Sequence, residues 1–268
     1  MAKLHNFNAG SYAFLEGGFP YSQAVIALPG FAFRRIRFSS VVPVEQGFDW
    51  IRQHLQQNNR PLTALAACEL RSPSAFTMAG FRDFNQSYVK VLTDWGLIQN
   101  GLNPVARSNL APAFSPPDVP GFYAFTYTVP ETSNQSDWLI AGSGEWPEHL
   151  PFPEGIVARG DTSPDGIERK VRYVVQTMQD RAKGLQAEWG RLTAAQIYTV
   201  HDFSALIPTV FKTAGMLSPG LSWHICNPPI QELEFEMDAR SVQHDLRSSQ
   251  EPKIPLGMRM MKNTSKAP

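Results

Sequence analysis

Read for hydrophobic and polar positions, the chain falls into strand-like and helix-like stretches that come twice in the same order. Residues 32–39 mix apolar with basic side chains, the pattern of a partly exposed strand. Pro43 opens a helix in which Val44, Phe48, Ile51 and Leu55 make one apolar stripe, and Asn58, Asn59 and Pro61 end it. Residues 62–70 read as a short strand holding Cys68. A second helix carries Phe84, Tyr88, Val91, Leu92 and Trp95 on one face, with Gly96 near its end. Strands at 106–110 and 122–129 close the half. In the latter, Phe122, Ala124, Thr126 and Thr128 alternate with Tyr123, Phe125, Tyr127 and Val129.

Residues 130–136 are polar and turn-rich and read as a linker. The order then repeats. Residues 138–142 form a strand. Ser163 is suited to cap a helix that has Pro164 in its first turn and Ile167, Val171, Val174, Val175, Met178, Ala182 and Leu185 at helical spacing. A strand at 194–200 follows. Phe203, Leu206, Ile207, Val210 and Phe211 stripe another helix, with Gly215 near its end, and strands at 221–226 and 232–239 finish the half. Matching elements lie roughly 105–120 residues apart, a usual small-domain length. The expectation is a duplicated α/β (α+β) chain: one domain at 1–130, a second at 137–247, and a loose arm at 248–268. Each domain should be a mixed sheet with two helices on one face.

The last strand sharpens the picture. One face of 232–238 carries Leu233, Phe235 and Met237; the other carries Glu232, Glu234, Glu236 and Asp238. The apolar side suits helix packing. The acidic side needs water, cations or an interface, because isolated buried carboxylates are too costly. A polar sheet face at an interface is a reasonable place for a site.

Composition narrows the function. Lys+Arg and Asp+Glu are equal at 24 each, so no basic field recruits nucleic acid. No apolar run is long enough to span a bilayer, and no signal peptide is visible. Two cysteines suit a reduced, cytoplasmic protein. Cys226 alternates with His224 and Ser222 on one strand face. That spacing supplies only two ligands, so no metal site is expected, and Cys226 reads as core while His224 is a candidate to line a pocket. Tyr12, Phe14, Phe19 and Tyr21 form an aromatic N-terminal segment suited to packing or to covering a pocket.

The C-terminal half resembles the RidA (YjgF) superfamily along nearly its whole length. The resemblance lies in Trp138-Leu-Ile-Ala-Gly-Ser-Gly144, the long helix from Pro164, Ile197-Tyr-Thr-Val-His-Asp-Phe203, the Pro219-Gly220 approach to a strand, and Glu232-Leu-Glu-Phe-Glu-Met-Asp-Ala239. The N-terminal half is similar more faintly, through Pro104-Val-Ala-Arg-Ser108, which looks like the family's Pro-Ala-Arg-Ser run with one inserted residue. The resemblance implies a ferredoxin- or chorismate-mutase-like fold, usually trimeric, with sites between neighbouring sheets. Active relatives hydrolyse imines and enamines with release of ammonia, some of them aminomuconate-type intermediates. A two-domain branch, the chorismatases, hydrolyses an enol ether.

By that resemblance Arg107 grips a substrate carboxylate, with a fork that lysine cannot match, and Ser108 and Asn109 beside it add hydrogen bonds. Glu234 or Glu236 positions or deprotonates water, and Glu145 and His224 are further candidates. Leu221 stands where the second copy would carry its arginine, while Ala124 and Thr126 stand where the first copy would carry glutamates. Complementary losses favour one composite site. The expected activity is cofactor-independent hydrolytic deamination of a small unsaturated carboxylated imine or enamine. A chorismatase-like hydrolase of a cyclic carboxylate and a non-catalytic small-molecule-binding protein are the alternatives, and on every reading a homo-oligomer, a trimer first, is expected.

Overall fold

The computed structural model describes residues 2–131 and 136–248. The middle of the expected linker and nearly all of the expected C-terminal arm lie outside the described residues. Strands β1 (Leu4–Phe7), β2 (Tyr12–Leu15) and β3 (Ala24–Ala27) come first. The first repeat then runs β4 (Phe31–Pro43), α1 (Val44–Gln57), β5 (Leu65–Arg71), α2 (Met78–Asp94), β6 (Ala106–Pro112) and β7 (Gly121–Pro130). The second runs β8 (Trp138–Gly144), α3 (Pro164–Gly184), β9 (Ala194–Tyr198), an irregular helical segment at 204–213, β10 (Leu221–His224), β11 (Cys226–Asn227), β12 (Glu236–Ser241) and β13 (His244–Arg247).

The repeat is visible in the sheets. One sheet contains the order β6-β5-β7-β4, and the other contains β10-β9-β12-β8, element for element the same. In both, the β5/β6 and β9/β10 pairs are parallel and the remaining core pairs antiparallel. The chain is therefore a mixed α/β protein of two like sheets. The segments do not follow a strict cut at 130/137, however. β1–β3, of which the sequence singles out only Tyr12 and Phe14 of β2, extend the second sheet beyond β8. β11 and β13 return to flank the first sheet, against β6 and β4. Both edges of the first copy and the β8 edge of the second are thus covered by strands from elsewhere in the chain, which keeps those edges from pairing with other chains.

The apolar faces of the helices go where their periodicity points. Phe48, Ile51 and Leu55 of α1 and Tyr88, Val89 and Leu92 of α2 share one core with β4, β5 and β7. Val171, Val174, Val175, Met178 and Ala182 of α3 fill a second core against Trp138, Ile197, Phe235 and Met237. Ser163 caps α3 as expected, its hydroxyl accepting from the Gly166 N–H at 3.2 Å. Among the described residues no helix is long and apolar enough to cross a membrane.

The opposite sheet faces meet each other, and they are polar. Arg35 forks onto Glu69 at 2.6 and 2.7 Å and also reaches Asp245 at 2.7 Å; Arg240 of the other sheet meets the same Asp245. Burial alone would push the Glu69 carboxyl up, but the Arg35 guanidinium overrides it and holds the group at about 2. Ser108 of β6 donates to Asp238 of β12 at 2.8 Å and accepts from the Gly142 N–H of β8 at 3.1 Å. Arg35, Glu69 and Asp245 belong to the first sheet, whereas the Arg240–Asp245, Ser108–Asp238 and Gly142–Ser108 bonds cross the seam and tie the sheets together.

The closing strand begins later than its alternation predicts. Glu145 lies wholly buried and accepts from the backbone N–H groups of Glu234 (2.7 Å) and Phe235 (3.1 Å), while Lys170 donates to it at 3.2 Å. Those backbone donors are therefore taken from the ladder, and β12 starts at Glu236. Glu232 turns outward at a positive φ of 75° and pairs with Arg159 at 2.5 Å. Lys170→Met would strand the Glu145 carboxylate in a dry site. The expected loss is about 3–5 kcal/mol of stability, read as a lowered urea midpoint.

Candidate active site

At the mouth of the seam between the sheets lies a cavity of about 350 Å³, lined by both repeats and by the N-terminal segment. The first repeat contributes Phe81, Arg82 and Asn85 from α2 and Arg107 and Asn109 from β6; the second contributes Gly142, Gly144, Trp146, Leu233 and Glu236. Phe19 and Tyr21 close one side. Tyr12 and Phe14, the other aromatics of that segment, are instead buried in β2, where the Tyr12 hydroxyl donates to the Leu65 carbonyl at 2.9 Å.

Arg107 is 2% exposed. Its Nη2 donates to Asn85 Oδ1 at 2.7 Å, while Nε and Nη1 have no partner among the described residues. The rings of Tyr88, Tyr21, Phe81 and Phe84 surround the guanidinium, 4.7–5.8 Å from its carbon. Burial disfavours its charge. Asn109 accepts from the Ser72 hydroxyl at 2.9 Å and leaves its own Nδ2 unpaired. Three buried N–H donors therefore line one apolar cavity without an acceptor. Buried donors rarely go unpaired, and a cluster of them is an anion subsite in chemical terms.

Glu236 is the buried carboxyl of this cavity, which Glu148 also lines. It is 4% exposed. Burial, with Asp238 and Glu145 nearby, pushes it well above the ordinary carboxylate range, against the pull of Arg181 and Arg107. Gly142 makes room for it. A side chain there would run into the Glu236 carboxyl and approach Ser108 Cα to 3.3 Å. Gly142→Ala is accordingly expected to displace Glu236 and lower kcat by about a hundredfold, with steady-state rates and melting temperature measured together to separate misplacement from unfolding.

The remaining sequence candidates stand elsewhere. Ser108 lies behind the cavity, holding Asp238 and the Gly142 backbone. Glu145 is occupied with Lys170 and two backbone N–H groups. Glu234 does not share the face of Glu236, because residues 233–235 are not in the strand; it faces His201 at 2.6 Å and is a quarter exposed. His224 sits on β10, beyond β12 and β9 from β8, stacked on Tyr198 at 5.3 Å. Burial and the nearby Arg71 push its imidazole down to about 4. Cys226 is buried against Leu110 and Tyr198. Asn85 was not anticipated, although a polar residue between Phe81 and Tyr88 on an otherwise apolar helical face is a signal the sequence carried.

Fold and cavity together define a duplicated α/β protein whose halves share one donor-lined pocket. The 2-aminomuconate deaminase CnbZ family matches residues 4–246. The 2-amino-5-chloromuconate deaminase of Comamonas testosteroni is 40% identical over 237 residues, covering 87% of this chain and 94% of that protein. Among solved structures, a chorismatase aligns over 82% of this chain and 77% of its own, at a TM-score of 0.41 and 11% identity. The YjgF gene product of E. coli aligns over 40% of this chain and 81% of its own, at a TM-score of 0.31 and 13% identity. The chain belongs to the 2-aminomuconate deaminase CnbZ family.

Proposed function

We propose that the protein is a hydrolytic deaminase that converts a 2-aminomuconate-type enamine into the corresponding 2-oxo acid and ammonia. The observation that supports this most is the set of three unpaired donors on Arg107 and Asn109 in the cavity that also holds Glu236. The family and the chlorinated-muconate relative supply the substrate class.

In this reading Arg107 forks onto the carboxylate next to the amino-bearing carbon. Asn109 Nδ2 adds a third hydrogen bond. Glu236 enters protonated, as its burial favours, and donates to the enamine carbon while the nitrogen lone pair forms the C=N bond. The resulting carboxylate takes a proton from water as the water oxygen bonds to the C=N carbon. The carbinolamine then collapses. Glu236 returns the proton to nitrogen, the C–N bond breaks with its electron pair leaving as ammonia, and the hydroxyl proton goes back to Glu236. One water is consumed, and the carboxyl ends as it began. The scheme calls on neither metal nor organic cofactor.

The test is to generate 2-aminomuconate in situ and follow both ammonia and the conjugated absorbance. The expected result is stoichiometric ammonia, with heavy oxygen from labelled water in the 2-oxo group. Binding of muconate without ammonia release would instead mark a protein that binds the substrate class without turning it over.

A further inference from the structure

We propose that Arg82 is a second carboxylate clamp, so that the cavity selects an unsaturated dicarboxylate over a monocarboxylate of equal length. This rests on the deaminase reading above and adds the residue that holds the far end of the substrate. Arg82 lines the same cavity as Arg107 and Glu236 but lies at its exposed side. It has no ion-pair partner among the described residues.

The geometry comes from α2. Arg82 precedes Asn85 by three residues, so the two occupy neighbouring positions on one helix face, about 5–6 Å apart at Cβ. Asn85 in turn holds Arg107 Nη2 at 2.7 Å. The helical turn that carries Arg82 at the mouth thus also holds the buried guanidinium of β6 through Asn85, and an elongated ligand gripped by the buried one extends toward Arg82. Two other cations stand close by. Arg181 and Lys183 line a neighbouring cavity that shares Ser143, Trp146 and Glu148 with this one. Arg181 is already engaged, donating to the Ala141 carbonyl at 3.1 Å and lying 3.7 Å from Glu148. Glu148, the other acid lining the cavity, is thus partly offset by Arg181. With Glu236 carrying its proton, two guanidiniums remain to match a dianion.

The experiment uses the full-length protein and two probes that lack the amino group and so are not turned over: muconate, with a carboxylate at each end, and sorbate, with one. Calorimetry on the parent should show muconate preferred by about ten- to a hundredfold, the range of one charged hydrogen-bonded contact. Arg82→Gln should bring that preference close to unity without weakening sorbate, and Arg82→Lys should keep part of it. The same Arg82→Gln should raise KM for 2-aminomuconate far more than it lowers kcat. Melting temperature should stay unchanged, since the residue is exposed and glutamine is a good helix former. Muconate binding by Arg82→Gln equal to the parent would overturn the proposal. A parent that releases no ammonia would remove the deaminase reading, while the muconate-to-sorbate ratio would still decide the role of Arg82.

Discussion

Replacing Arg107 with methionine is expected to abolish ammonia release while costing the fold little. The side chain is buried with two of its three nitrogens unpaired, and burial disfavours its charge. An ordinary buried ion pair loses about 3–5 kcal/mol when one partner is removed. Among the described residues Arg107 has no carboxylate bonded to it; the one bond lost there is to Asn85, about 1–2 kcal/mol. Methionine fills much the same volume among Tyr21, Phe81, Phe84 and Tyr88. Turnover should fall much further. Two charged hydrogen bonds to a carboxylate are worth about 1.5–3 kcal/mol each, a loss of about 10²–10⁴ in kcat/KM. Arg107→Lys keeps the charge but not the fork, and should recover only part of the rate. Urea denaturation beside an ammonia assay checks both halves of the expectation. A structural arginine would give the reverse, a large stability loss with proportionate activity in the folded fraction.

Glu236→Gln is the second large effect. Loss of the proton-transferring carboxyl should reduce kcat by about 10²–10⁴. The pH dependence separates this role from a packing role. Burial, with Asp238 and Glu145, raises the Glu236 carboxyl well above its ordinary value. The parent's rate should therefore fall on the alkaline side, as the group that donates the first proton loses it, and the residual rate of the glutamine variant should lack that limb. Stability moves in the same window. Above the unfolded value the unfolded chain has released this proton while the native protein still holds it. Folding stability thus declines as pH rises toward the folded value, by about 1.4 kcal/mol per pH unit for one proton. Glutamine cannot titrate, so the variant should gain on the parent as pH increases, measured by urea midpoints across the series.

Much of the architecture was legible because it is written in periodicity. The stripe of α1, the Ser163 cap and the repeated order of strands and helices all answer to local rules, and the structure repeats them sheet for sheet. What could not be read was which strand joins which sheet. β1–β3 are four residues each, too short to declare a period, and they pair with a sheet whose next member, β8, is more than a hundred residues further on. Arg107 stood out through a local motif, and Glu236 through the alternation of the closing strand. Glu234 was misread for a physical reason that local pattern does not contain. A buried carboxylate from far upstream, Glu145, takes the backbone donors that would have continued the strand, and the alternation of 232–238 is broken before Glu236. Asn85 and Arg82 matter because of what faces them, and that is set by the meeting of β6, β8 and β12.

A crystal structure of the protein soaked with muconate interrogates the proposed carboxylate-binding pocket at its root. The expected density places one carboxylate against the Arg107 guanidinium, accepting from Nε or Nη1, with the Glu236 carboxyl facing the adjoining double bond. A ligand bound anywhere else, with both of those nitrogens still unpaired, would contradict the account.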